Sequence, residues 1–287
     1  MNRKILFLIS VVVLISLGFN NTYFAKVEKV KSKDGVEIAY KVHGSGEPAL
    51  VFVHGWSCNQ SYWDEQVKTF SPKYKVVTLD LAGHGESGHN RKNYTMQLFG
   101  ADIAAVVNKL KLKKIILVGH SMGGAAVIEA AVILKSKVIG IIGADTYQDL
   151  AQTMEKAQAE EFLKPFKENF VKQTSGFVKA MFVPSSDTVL VNKVVKDMSS
   201  APPEIAMNVI LNLFTYNALP SLKKIHIPFI SINNDRYPIK VKDNAALTKS
   251  FELKTMKGIG HFIMLEDPDG FDKLLQESID ELLKNKN

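Results

Sequence analysis

The sequence predicts an α/β fold: a mostly parallel sheet covered by helices on both faces, with a helical insertion between its two halves. Continuous apolar runs of strand length alternate with segments of helical spacing, which is the pattern of a sheet buried on both sides. A stretch from Thr146 to about Leu222 has no convincing strand, and strands resume beyond it. A chain of 287 residues with 46% hydrophobic and 23% charged residues has ordinary globular composition and enough length for a sizeable core.

The elements follow in order. Val27–Lys33 and Val36–Val42 flank Asp34-Gly35, a strong hairpin signal. Ala49–Val53 reads as a buried strand ending at His54-Gly55, and Tyr62–Phe70 as a helix leading to the strand Lys75–Leu79. Thr95–Leu110 has helical spacing, with Met96, Phe99, Ile103, Val106, Val107 and Leu110 on one face. Ile115–Val118, a helix rich in small residues and Lys137–Ile142 complete the first half. The insertion reads as short helices broken at Pro165, Pro184 and Pro202-Pro203, with Ser186 and Asp187 as N-caps. Strands follow at Pro228–Ile232 and Glu252–Met256, then an amphipathic helix from Asp269 to Leu283. The expected organisation is residues 26–145 and 223–287 as the α/β core and 146–222 as a helical cap.

Residues 1–25 are read apart from the fold. Arg3 and Lys4 precede the apolar run Ile5–Phe19, which has the charge and length of a secretory signal and falls short of the roughly 20 residues of a membrane span. Ser16-Leu17-Gly18 and Ala25 are the candidate cleavage sites. A secreted, periplasmic or cell-surface location is expected, and an uncleaved segment would tether the chain to a membrane through residues 5–19. No cysteine follows the run, which argues against a lipoprotein. The single cysteine, Cys58, has no internal partner and is read as a small buried thiol. The net charge of +7 is spread along the chain as lysines, without an arginine cluster, so nucleic acid is not an expected partner. Weak attraction to an anionic cell surface is compatible with it.

Gly119-His120-Ser121-Met122-Gly123 joins a strand to a helix through a tight turn, the setting of a nucleophile elbow. A serine hydroxyl needs a base, and the base an orienting carboxylate. In a parallel sheet the site lies beyond the carboxyl ends of the strands. His226 precedes its strand, His43 ends the hairpin and His89 lies in a polar loop. His120 sits beside the serine in the turn, and His54 and His84 belong to glycine-flanked turns. His261, in Gly258-Ile259-Gly260-His261-Phe262 after the last strand, is the expected base. Asp235 is the expected acid, ending the penultimate strand. Asp145 is the alternative acid, ending the strand after the elbow helix, and would otherwise cap the first cap helix. Asp80 is assigned a structural role in the turn that follows it. The backbone N–H groups of Met122 and Trp56 are the expected oxyanion donors.

The order Ser121, Asp235, His261 resembles that of the α/β-hydrolase superfamily, with His54-Gly55-Trp56, Asp80…Gly83-His84-Gly85-Glu86-Ser87 and Gly260-His261-Phe262…Leu265-Glu266-Asp267-Pro268 as further points of likeness. The resemblance runs from about Lys33 to Leu283 and is to the esterase and lipase-like branch with a helical cap. It implies a serine hydrolase cleaving a small-molecule carboxylic ester through an acyl-enzyme, without metal or organic cofactor. Lactonase, C–C hydrolase and perhydrolase chemistry on the same residues, or a non-catalytic small-molecule-binding role, are the alternatives. Members usually carry a glycine three residues before the acid; counted from Asp235, that residue is Ile232.

Overall fold

The computed structural model describes residues 25–284, so the apolar run Ile5–Phe19 lies outside the described residues. Eight strands form one sheet: β1 (Glu28–Lys31), β2 (Glu37–His43), β3 (Ala49–Val53), β4 (Lys75–Leu79), β5 (Ile115–His120), β6 (Val138–Ala144), β7 (Pro228–Asn234) and β8 (Ser250–Met256). Their order across the sheet is β1-β2-β4-β3-β5-β6-β7-β8. The hairpin β1–β2 and the β2–β4 pair are antiparallel, and every pair from β4 to β8 is parallel.

The central strands β3, β5 and β6 are buried along their whole length, as continuous apolar runs require when helices cover both faces. Helices α1 (Asp64–Phe70), α2 (Met96–Lys109) and α3 (Met122–Leu134) belong to the first half. A 3₁₀ turn, Gln60–Trp63, precedes α1, so the helix expected from Tyr62 starts later. The inserted helices are α4 (Lys156–Glu168), α5 (Phe170–Lys179), α6 (Thr188–Ser199), α7 (Pro203–Phe214) and α8 (Leu219–Leu222). They lie between β6 and β7, within the stretch 146–222. The second half adds α9 (Val241–Leu247), α10 (Ile263–Glu266) and α11 (Pro268–Lys284). Helices α2 and α3 pack on each other, while α11 packs on α1 and along β6–β8.

Local chemistry accounts for most boundaries. Thr95 accepts a hydrogen bond from Leu98 N and caps α2, and Asp187 caps α6 through Val189 N. Ser186 is not a cap; its hydroxyl donates to Glu266 Oε2 at 2.6 Å. Pro165 does not break α4. It sits in the last turn, and the helix runs on to Glu168 before Asn169 leaves helical geometry and caps α5. Pro203 occupies the first turn of α7, where its missing N–H costs no hydrogen bond. Among the described residues no helix is long and apolar enough to cross a membrane.

Candidate active site

Ser121 stands between β5 and α3 with φ 51° and ψ −119°, a left-handed conformation that a side chain tolerates only when its surroundings impose it. The packing that imposes it is visible at the two flanking glycines. A Cβ on Gly119 would lie 2.6 Å from the Gly123 carbonyl, and one on Gly123 would lie 2.5 Å from the Val53 carbonyl oxygen. The elbow is therefore wedged between its own helix and the end of β3. Ser121 N donates to Ala144 O at 3.1 Å, which ties the turn to β6.

The loop after β3 comes against the serine from the other side, since a Cβ on Gly55 would meet the Ser121 Cβ at 3.3 Å. Gly55–Cys58 forms a turn closed by Cys58 N to Gly55 O at 3.3 Å, with Ser57 at φ 54°. The N–H of Trp56 lies at the centre of that turn and takes no part in its closing bond. Met122 is the first residue of α3, and a helix leaves the N–H groups of its first turn without carbonyl partners. The Trp56 indole is engaged elsewhere. Its Nε1–H donates to Ala206 O at 2.8 Å, and the ring meets Phe170 and Phe177 edge-on. Trp56 thus follows the glycine that borders Ser121 and holds the cap with its side chain.

His261 follows β8 and is fixed at three points. Its N–H donates to Met181 O at 2.9 Å, its carbonyl accepts from His120 Nε2 at 3.1 Å, and its Nδ1 lies 2.5 Å from Asp145 Oδ2. A carboxylate at Nδ1 sets the ring tautomer, with the hydrogen on Nδ1 and Nε2 left as the basic nitrogen. Burial and the nearby His261 hold the His120 ring far below the usual imidazole range. It stays neutral, and its Nε2–H positions the loop.

The carboxylate facing His261 is Asp145 and not Asp235. Asp235 is exposed and accepts a hydrogen bond from Gly258 N at 3.1 Å, in the loop ahead of His261. Asp145 is 3% exposed, and its φ of 46° folds it back toward that loop. The position at the end of β7 is taken by Asn234. Its N–H donates to Asp145 Oδ1 and its side-chain amide to Asp145 Oδ2, both at 3.0 Å, while the amide also donates to Gly260 O at 2.9 Å. Asp145 caps no helix; α4 starts after Glu155. The presence of Ile rather than glycine at 232, three residues before Asp235, is the signal in the sequence that points away from Asp235. Asn234 carries no recognisable signal.

The remaining early-chain polar residues are structural. Asp80 accepts from Gln60 N, Gln60 Nε2 and Glu86 N at 2.7–2.9 Å and holds the turn after β4. His54 donates from Nδ1 to Gly55 O and accepts from Leu81 N at Nε2, and burial lowers its pKa to about 4. His226 is exposed ahead of β7, away from the site.

Ser121, Asp145 and His261 line one cavity of about 600 Å³, walled by Trp56, Phe177, Met181, Met198, Ile210 and Phe214. Most of that wall belongs to α5–α7, so the inserted helices do roof the serine. Cys58 also faces it. Its Sγ–H donates to Trp56 O at 3.3 Å, and burial pushes the thiol pKa up, which keeps it protonated. A second space of about 340 Å³ reaches the same three residues from the side of Thr146, Gln148, Asp149, Gln152 and Thr153. Arg236, missed in the sequence, donates to Met181 O at 2.6 Å and Ala180 O at 3.0 Å and joins the β7 end to the cap. Among the described residues no group of three or more His, Cys, Asp or Glu side chains is placed to hold a metal ion.

A family model described as the alpha/beta hydrolase family matches residues 50–274. A non-heme haloperoxidase of Rhodococcus erythropolis is 41% identical over 99 residues, which are 34% of this chain and 36% of the haloperoxidase. The karrikin insensitive 2 receptor CA of Petunia hybrida is 23% identical over 244 residues, 80% of this chain and 90% of the receptor. Among solved structures, an esterase from Exiguobacterium antarcticum superposes with a TM-score of 0.79 at 19% identity, covering 89% of this chain and 100% of the esterase; this is a likeness of fold.

Proposed function

The chain belongs to the α/β-hydrolase family, and on that premise we propose that it is a serine hydrolase of carboxylic esters with small to medium apolar acyl groups. The observation that carries the reading is the pairing of His261 Nδ1 with buried Asp145 on the wall of the cavity that holds the strained Ser121. The His261 tautomer leaves Nε2 free to take a proton, which is what a serine nucleophile needs.

In this reading Ser121 Oγ attacks the ester carbonyl carbon while His261 Nε2 takes the hydroxyl proton. The tetrahedral oxyanion receives the N–H groups of Met122 and Trp56, donors of a kind worth about 10²–10³ each in rate. Collapse breaks the bond to the alcohol, which leaves with the proton from His261. Water, deprotonated by the same nitrogen, then attacks the acyl-enzyme, and Ser121 regains its proton as the acid departs. Asp145 holds the imidazole in the productive tautomer and stabilises the imidazolium. The wall of Trp56, Phe177, Met198 and Ile210 suits an apolar acyl chain.

A fluorophosphonate label followed by peptide mass spectrometry tests the reading. A covalent adduct on Ser121, absent in Ser121→Ala, together with hydrolysis of p-nitrophenyl esters that falls at least about 10³-fold in that variant, is the expected result. Failure of Ser121 to label would instead favour a binding role, as in the receptor to which the chain is similar.

A further inference from the structure

The lysines that are dispersed along the sequence are gathered by the topology. Parallel strands all start at one edge of the sheet, so residues leading into them share that edge whatever their sequence separation. Lys73 and Lys75 lead into β4, Lys113 and Lys114 into β5, and Lys135 and Lys137 into β6. Lys223 and Lys224 precede β7, and Lys249 precedes β8. The registers place these entries side by side: Ala49 pairs with both Lys75 and Ile115, Ile115 with Val138, and Pro228 with Ser250. All but Lys75 and Lys137 are exposed. None of the nine is paired with a carboxylate among the described residues. Glu47, ahead of β3, is the acid in these entry segments.

The opposite edge differs in charge. The carboxyl ends of β4, β6 and β7 lead into Asp80, Asp145 and Asp235, and the cavity opens there. The lysine edge therefore faces away from Ser121. Strand β1 is antiparallel to β2, which is antiparallel to β4, so β1 runs in the sense of the parallel strands. Residues 25–27, which lead into β1, thus lie at the lysine edge, and the sequence ahead of them contains the apolar run Ile5–Phe19.

We propose that the lysine-fringed amino edge of the sheet is a docking surface for the anionic headgroups of a lipid bilayer, with the active-site edge turned to solvent. Clustered ammonium groups on a chain whose sequence also carries an apolar segment supply the two kinds of signal that stable attachment to an anionic membrane takes, since each lysine near such a surface adds to binding. The attraction is screened within about a Debye length, so it is lost at high salt.

Co-sedimentation of the full chain with vesicles tests this. One set is phosphatidylcholine alone and the other holds equal parts phosphatidylcholine and phosphatidylglycerol, each at low salt and at about 0.5 M salt. The variant Lys113→Gln/Lys114→Gln/Lys135→Gln/Lys223→Gln/Lys224→Gln/Lys249→Gln carries the test, and Lys156→Gln/Lys164→Gln/Lys167→Gln/Lys172→Gln in the cap is the control. The native chain is expected to bind the anionic vesicles at least about tenfold more strongly, with the preference lost at high salt and in the edge variant but kept in the cap control. Equal binding to both vesicles, an unchanged preference in the edge variant, or capture by soluble polyphosphate without any anionic-vesicle preference would overturn it. Thermal unfolding at the native temperature establishes that the edge variant is folded, and none of its positions touches the candidate site.

Discussion

Asp145 and His261 are 116 residues apart in the chain, yet Asp145 Oδ2 lies 2.5 Å from His261 Nδ1. The pairing spans three neighbouring strands. Asp145 leaves the end of β6 and His261 lies beyond β8, while Asn234 at the end of β7 bridges them through Asp145 and the Gly260 carbonyl. Two N–H donors hold the carboxylate in place before any substrate arrives.

Asn234→Ala is therefore expected to lower kcat for ester hydrolysis about tenfold to a hundredfold with little change in KM. Losing a buried hydrogen bond to a charged group costs roughly 1.5–3 kcal/mol, and here it loosens the acid rather than the substrate pocket. Steady-state kinetics on p-nitrophenyl butyrate checks this. A rise in KM at constant kcat would place Asn234 in substrate binding instead.

The cavity predicts a chain-length profile. Each methylene buried against the apolar wall gains about 0.8 kcal/mol, close to fourfold in kcat/KM, until the space is full. For p-nitrophenyl esters, kcat/KM is expected to rise from acetate to at least butyrate and to fall at long chains, since the space is about 600 Å³. Ile210→Trp, which narrows that wall, is expected to move the maximum to shorter acids. A flat profile would mean that the cap side chains leave no acyl pocket.

Three buried histidines predict the acid limb of stability. Burial lowers His54 to about 4, burial and the neighbouring His54 lower His84 to about 3, and His120 also lies well below the usual value. Unfolded, each ring takes up a proton near pH 6.5, so between there and about pH 4 the unfolded chain binds more protons than the folded one. Stability then falls as pH drops through that window, by up to about 1.4 kcal/mol per pH unit for each ring. Urea unfolding at pH 6.5 and pH 5 is expected to show a loss on the order of 5 kcal/mol. Equal stability at the two values would contradict the neutral buried rings.

The strands were legible because β3, β5, β6 and β7 are buried on both faces and so read as unbroken apolar runs. Ser121 and His261 were legible because an elbow needs small residues around it and because only one loop histidine follows the last strand. The choice between Asp145 and Asp235 was legible only in Ile232, which stands where a glycine is usual. Both end strands at the same edge, and what separates them is the turn of the chain beyond each strand: Asp145 at φ 46° points inward and Asp235 outward. Backbone turns of non-glycine residues into the left-handed region leave little trace in composition. Helix α9, between β7 and β8, also went unread, since only Asn244 among its residues is buried and its apolar periodicity is faint. The lysine edge was invisible for a different reason, as it exists only once the strands are aligned.

The assignment of the acid is the point on which the chemistry turns, and kcat for Asp145→Asn beside Asp235→Asn measures it most directly. An asparagine facing His261 Nδ1 presents an amide where the ring needs a carboxylate and disturbs the tautomer. Asp145→Asn is expected to lose about 10³–10⁴-fold in kcat, while Asp235→Asn, which changes one exposed hydrogen bond to Gly258, stays within about threefold of the native chain. A crippled Asp235→Asn beside a nearly unaffected Asp145→Asn would contradict the account.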